Sequence, residues 1–74
     1  MGKVNVNLLK ARLVERGMNF ADLAKLMGIN RSTLYRKLKN GGKNLLIGEA
    51  NAIVQGLGLS AQDAMLIFFS EQVA

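Results

Sequence analysis

The 74 residues contain no cysteine, no histidine, no proline and no tryptophan. Without cysteine there is no disulfide framework and no thiolate metal site. Without histidine the commonest general base and metal ligand is missing. The five carboxylates lie scattered along the chain, too far apart in sequence to suggest a catalytic or metal centre. An enzyme is therefore not expected, nor a cofactor. No apolar run approaches the ~18 residues of a membrane span, and the N-terminus alternates Val and Asn where a secretory signal would be apolar. The expectation is a soluble cytoplasmic protein with no membrane contact and no small-molecule ligand. The lack of proline fits short helices joined by glycine-based turns. Residues 1–74 form one small domain, near the size at which a single core just suffices. Half the residues are hydrophobic, so a helical core needs no staples.

What is present is positive charge, and it is segregated. Residues 1–44 hold all ten Lys and Arg with only Glu15 and Asp22, a net +8; residues 45–74 hold only three acids, a net −3. Such polarity suits one face built for a polyanion and an opposite end that avoids it.

The stretch from Asn19 to Lys39 organises the chain. Phe20, Leu23, Ala24 and Met27 fall at i, i+3, i+4 and i+7 and predict a helix over about Phe20 to Met27. Asn19 suits its N-cap, Asp22 its positive start and Gly28 its C-terminal stop. Ile29 fills the turn. Asn30 caps a second helix from Arg31 to Leu38 or Lys39, which Gly41 and Gly42 end. Leu34 and Leu38 mark the inward side of that helix. At about 100° per residue, Arg36 lies opposite, flanked by Ser32 and Thr33, with Arg31 and Tyr35 near the boundary. No carboxylate occurs between Arg31 and Asn44. Guanidinium forks can read guanine, small hydroxyls can reach base edges or phosphates, and no anion repels the DNA backbone.

The remaining segments read as packing elements. Residues 1–5 are expected to be a loose arm with Lys3 as its only charge, the alternative being an arm that touches a DNA phosphate. Asn5 or Asn7 caps a first helix ending at Arg16, with Leu9, Leu13 and Val14 inward and Lys10, Arg12 and Arg16 on a solvated face. Lys39 to Asn44 forms a flexible basic turn. Leu45 to Ile47 bridges to a fourth helix that ends at Leu57, with Ala50, Ile53, Val54 and Leu57 as core. No good N-cap precedes that helix. Ser60 caps a fifth, about Ala61 to Ser70, which is apolar on much of its circumference. A small monomer cannot bury all of Met65, Ile67, Phe68, Phe69 and Val73, and a contiguous exposed patch there marks a dimer or partner interface.

The helix, the Gly28-Ile29-Asn30 turn and the polar helix that follows resemble the helix-turn-helix of lambda-repressor-like (Cro and XRE type) DNA-binding proteins. The pattern Leu23-Ala24-x-x-Met27-Gly28-Ile29-Asn30-x-x-x-Leu34 is usual in that family, and the similarity extends over roughly Asn7 to Phe69. The STLYRKL run is similar to short phage and prophage regulators of Gram-positive bacteria. The resemblance implies an all-α, compact five-helix fold and a sequence-specific transcriptional regulator, a repressor Cro-like in size, without the second domain of long phage repressors. It also implies that the helix over 31–39 reads double-stranded operator DNA in the major groove. Arg36, Arg31, Ser32, Thr33 and Tyr35 are the expected base contacts, although Tyr35 serves equally as a packing residue along the helix flank. Asn30, Lys37, Lys39, Lys43 and Asn44 are the expected backbone contacts. The operator is expected to be an inverted repeat bound by a homodimer. One departure stands out. The family very often has a phosphate-bonding glutamine where this chain has Phe20, which implies a packing role or a weaker grip there. The alternative is a protein-binding module on the same scaffold, antirepressor or antitoxin-like, acting through the apolar fifth helix.

Overall fold

The computed structural model describes residues 3–69. Five helices follow one another: α1 Val6–Glu15, α2 Phe20–Met27, α3 Arg31–Gly42, α4 Ile47–Leu57 and α5 Ala61–Phe68. α2 packs on both α3 and α4, and α1 packs on α5.

Most boundaries follow from local chemistry. The Asn5 carboxamide oxygen accepts from the Leu8 amide at 3.1 Å and starts α1. At α2, Asn19 and Asp22 form a reciprocal capping box at 2.9 and 3.0 Å, which satisfies two amides that a helix start otherwise leaves unpaired. Gly28, at φ +75°, ends the helix as expected. Ser60 caps α5 by accepting from the Asp63 amide at 3.1 Å. The missing cap of α4 is supplied in reverse: the Glu49 carboxylate reaches back one turn to the Leu46 amide at 2.9 Å.

In α3 the regular dihedrals stop after Leu38. Lys39 has ψ 150°, Asn40 has φ 57° and Gly41 has φ 74°, so the reading helix is two turns long and a basic turn follows it. This matches the expected end at Leu38 or Lys39.

Three expectations about packing need correction. The arm is not loose from Val4 onward. The Val4 amide donates to the Gly41 carbonyl at 2.6 Å, the Asn5 amide donates to the Ile67 carbonyl at 2.7 Å, and the Val4 side chain is buried. Val14 is 64% exposed; it lies about 100° around from Leu13, off the stripe formed by Leu9 and Leu13. Arg12 and Arg16 are not simply solvated. Arg12 holds Asp63 with two bonds of 3.1 and 3.3 Å, and Arg16 donates to the Leu57 carbonyl at 2.7 Å. Two of the basic residues thus fasten α1 to the acidic end of the chain.

Gly42 makes the Val4 contact possible. It sits at φ +78°, and a Cβ there would collide with the Val4 side chain. Gly42→Ala is expected to cost about 2–5 kcal/mol, the sum of left-handed strain and overpacking. Gly17→Ala, also at positive φ but facing open space, should cost only the strain of about 1–2 kcal/mol. Urea unfolding of the two variants measures the difference.

Candidate nucleic-acid interface

α3 turns Leu34 and Leu38 into the core and leaves Arg31, Ser32, Tyr35 and Arg36 exposed, with Thr33 half-buried. The five expected base-contacting residues thus share one helix with no acid in its first turn. Asn30 anchors their start. Its carboxamide oxygen accepts from the Thr33 amide at 3.2 Å and from the Ser32 and Thr33 hydroxyls at 2.9 Å each. Both hydroxyl protons are therefore directed at the cap, leaving oxygen lone pairs as the groups these side chains can offer. Such acceptors complement the amino groups of adenine N6 and cytosine N4. Arg36 donates to the Thr33 hydroxyl at 3.2 Å. That bond is long and exposed, so the guanidinium can exchange it for a better acceptor at small cost.

Around this row, Lys39, Asn40, Lys43 and Asn44 are exposed in the turn that follows. Lys3 joins them: its side chain lies over Gly41, where an added Cβ would meet Lys3 Cγ at 3.2 Å. Sequence alone gave no way to see that Lys3 reaches this turn, because its place depends on the Val4–Gly41 backbone bond.

Lys37 is placed differently from the other cations. It is half-buried and its ammonium stands 3.0 Å from the Glu49 carboxylate. At three residues from Leu34 it lies beside the inward stripe, so it reaches the start of α4. The sequence has no acid near α3, but the fold brings one. Burial pushes the Glu49 carboxyl up, while the Leu46 amide and the Lys37 ammonium together outweigh it and hold the group below its ordinary value. A carboxylate with a lowered folded value adds stability above its unfolded value of about 4.3 and loses it as pH falls through the folded one. Glu49→Gln keeps the cap, since an amide oxygen can still accept from Leu46, but removes the ion pair. It is expected to cost at most about 1 kcal/mol near neutral pH, and the gap to the parent protein should close in acid. Glu49→Ala removes both contacts and should cost about 0.5–2 kcal/mol. Thermal melts between pH 3 and 7 check both.

Phe20, at the start of α2, packs on Tyr35 with ring centroids 5.8 Å apart and planes tilted by 55°. The departure from glutamine therefore has a packing partner, and Tyr35 is braced while remaining half exposed. Two amides of this helix start take part in the Asn19–Asp22 box, and the Asp22 carboxylate stands there, which disfavours an anion. A cleft of about 480 Å³ opens beside the pair, lined by Val6, Phe20, Tyr35, Arg36, Leu38 and Lys39.

A groove of about 220 Å³ runs between α4 and α5, lined in part by Ile47, Val54, Phe68 and Phe69. Met65 and Phe69 are exposed as expected of a partner surface, but Ile67 and Phe68 are not. Both are buried: Ile67 shares the side of Asp63, which Arg12 of α1 holds, and Phe68 lines the groove between α5 and α4. They are withdrawn from the interface set, and Val73 lies outside the described residues. Leu46, Ile47 and Leu66, not named among the expected residues, are also exposed, and Ile47, 75% exposed, lines the groove. The available signal was an apolar pair at a helix start that lacks a polar cap.

Among the described residues, no group of three His, Cys, Asp or Glu could hold a metal ion, and no helix is long and apolar enough to cross a membrane. The family profile described as Cro/C1-type HTH DNA-binding domain matches residues 8–67. Neither curated proteins nor solved structures give a significant match. The profile covers all but the ends of the chain and includes α2 and α3 in full. The chain belongs to the Cro/C1-type helix-turn-helix DNA-binding family, which is non-enzymatic.

Proposed function

We propose that this protein is a sequence-specific transcriptional regulator of the phage or prophage repressor type, which reads operator half-sites in the major groove with α3. The observation that carries this is the exposed row Arg31, Ser32, Tyr35 and Arg36 on a helix without acids, followed by a turn with Lys39 and Lys43. Lys39, Lys43, Lys3 and the Asn30 and Asn44 amides meet phosphates and release counterions, so affinity falls steeply with salt. Arg36 and Arg31 donate to the O6 and N7 acceptors of guanine, and Ser32 and Thr33 accept from amino groups in the groove. Two copies, joined through Met65, Leu66 and Phe69 with Leu46 and Ile47, address an inverted repeat whose half-site centres lie about one helical turn, ~34 Å, apart. Occupation of a promoter in the cytoplasm then blocks polymerase without any catalytic step.

The same apolar α4–α5 surface supports a second reading, a module that binds another protein. It leaves unexplained why the α3 face carries arginines without an acidic partner among the described residues. Selection of bound duplexes from a random pool separates the two. The regulator yields an inverted repeat bound by two chains, whereas a protein-binding module yields no motif.

A further inference from the structure

We propose that the cleft between α1, α2 and α3 seats one deoxyribose–phosphate unit of the bound DNA strand. Phe20 and Tyr35 form an apolar wall for the sugar, and Lys39 meets the phosphate. This rests on the DNA-binding reading above and specifies how one edge of that site grips.

The lining has two kinds of chemistry. Val6, Phe20, Leu38 and the Tyr35 ring give carbon surface, while Arg36 and Lys39 give positive charge. Among the described residues no carboxylate lines the cleft, and neither cation forms an ion pair. A complementary occupant is therefore an anion with an apolar body. Each nucleotide of a DNA strand offers both, a sugar with a carbon face and a singly charged phosphate. The cleft also shares Tyr35, Arg36 and Lys39 with the reading row, so a duplex that engages Arg36 lies across its mouth. Asp22 at the α2 start keeps the phosphate away from that end and leaves Lys39 as its partner. The tilted contact of Phe20 with Tyr35 holds both rings in place before binding, so little side-chain freedom remains to be lost.

An apolar grip has a signature that a charged one lacks, because it is independent of counterion release. The test measures affinity for the selected duplex across a salt series with the parent protein, Phe20→Ala, Tyr35→Ala and Lys39→Ala. Thermal unfolding of each variant accompanies the series. Phe20→Ala and Tyr35→Ala are expected to weaken binding about three- to tenfold, by the same factor at every salt concentration, from lost apolar burial. Lys39→Ala is expected to reduce the salt slope by about one. A scan replacing single phosphates by neutral methylphosphonates should find one position per half-site that weakens the parent protein but not Lys39→Ala.

Parent-like binding by both aromatic variants overturns the proposal and leaves the DNA-binding reading intact. A loss that changes with salt overturns it too, since the contact is then electrostatic. So does a change in self-association in place of DNA affinity, which assigns the cleft to a second copy of the chain. If Phe20→Ala does not fold, Tyr35→Ala decides alone, because its side chain is half exposed. Failure of the parent protein to bind any duplex overturns both readings together.

Discussion

Phe68→Ala is expected to leave the domain at the edge of unfolding, while Phe69→Ala, one residue further on, leaves it folded. Phe68 is 2% exposed and is the largest of the fully buried side chains. Removing such a ring costs about 3–5 kcal/mol in lost transfer energy and residual cavity. A chain of this length has a total stability of roughly 4–11 kcal/mol, so the variant keeps little or none. Phe69 is 40% exposed and caps α5 through its backbone amide, which donates to the Met65 carbonyl at 2.8 Å. Alanine preserves that bond, and the cost should stay below about 1 kcal/mol. Urea unfolding distinguishes the two. A mild Phe68→Ala with a severe Phe69→Ala would place the core on the other side of α5 and remove the proposed dimer surface.

The second large effect concerns recognition. Arg36→Ala is expected to weaken operator binding by about 1–3 kcal/mol and to relax discrimination at one base pair of each half-site. The side chain is exposed, and its one hydrogen bond among the described residues is to the Thr33 hydroxyl at 3.2 Å. Its removal should therefore change folding stability by no more than about 0.5 kcal/mol. Lys43→Ala is the natural comparison. A phosphate contact there would weaken all duplexes alike and lower the salt slope by about one. The contrast between a loss at one base position and a uniform loss separates a reading residue from an anchoring one. Equal losses on operator and scrambled DNA for Arg36→Ala would demote it to an anchor.

Elements whose signals are local were legible in the sequence. α2 needed only its apolar spacing, the Asn19–Asp22 pair and Gly28, all within ten residues, and the structure reproduces its limits. The exposed α3 row followed in the same way from Leu34 and Leu38. What escaped depends on contacts between distant segments. Val4 lies outside any helical stripe and is fixed by its amide's bond to Gly41, next to the Asn5 bond to Ile67. Lys37 loses its independence to Glu49, twelve residues away. The fifth helix is apolar on so many sides that it carries no stripe, and only its packing against the rest of the fold decides that Ile67 and Phe68 go inward while Met65 and Phe69 stay out. The start of α4 illustrates a weaker kind of signal. An acid at the third position was visible, but without a polar cap its backward bond to Leu46 was not inferred.

The most direct test of the central claim is the ratio of affinities for the selected duplex and a scrambled one of equal length. It should be measured at physiological salt for the parent protein and Arg36→Ala. A regulator that reads sequence through α3 gives a parent ratio of about 10³ or more, and Arg36→Ala lowers it by roughly five- to 150-fold. A parent ratio near one, with binding to both duplexes lost together as salt rises, would mean that the basic face only attracts polyanions and that α3 does not read an operator.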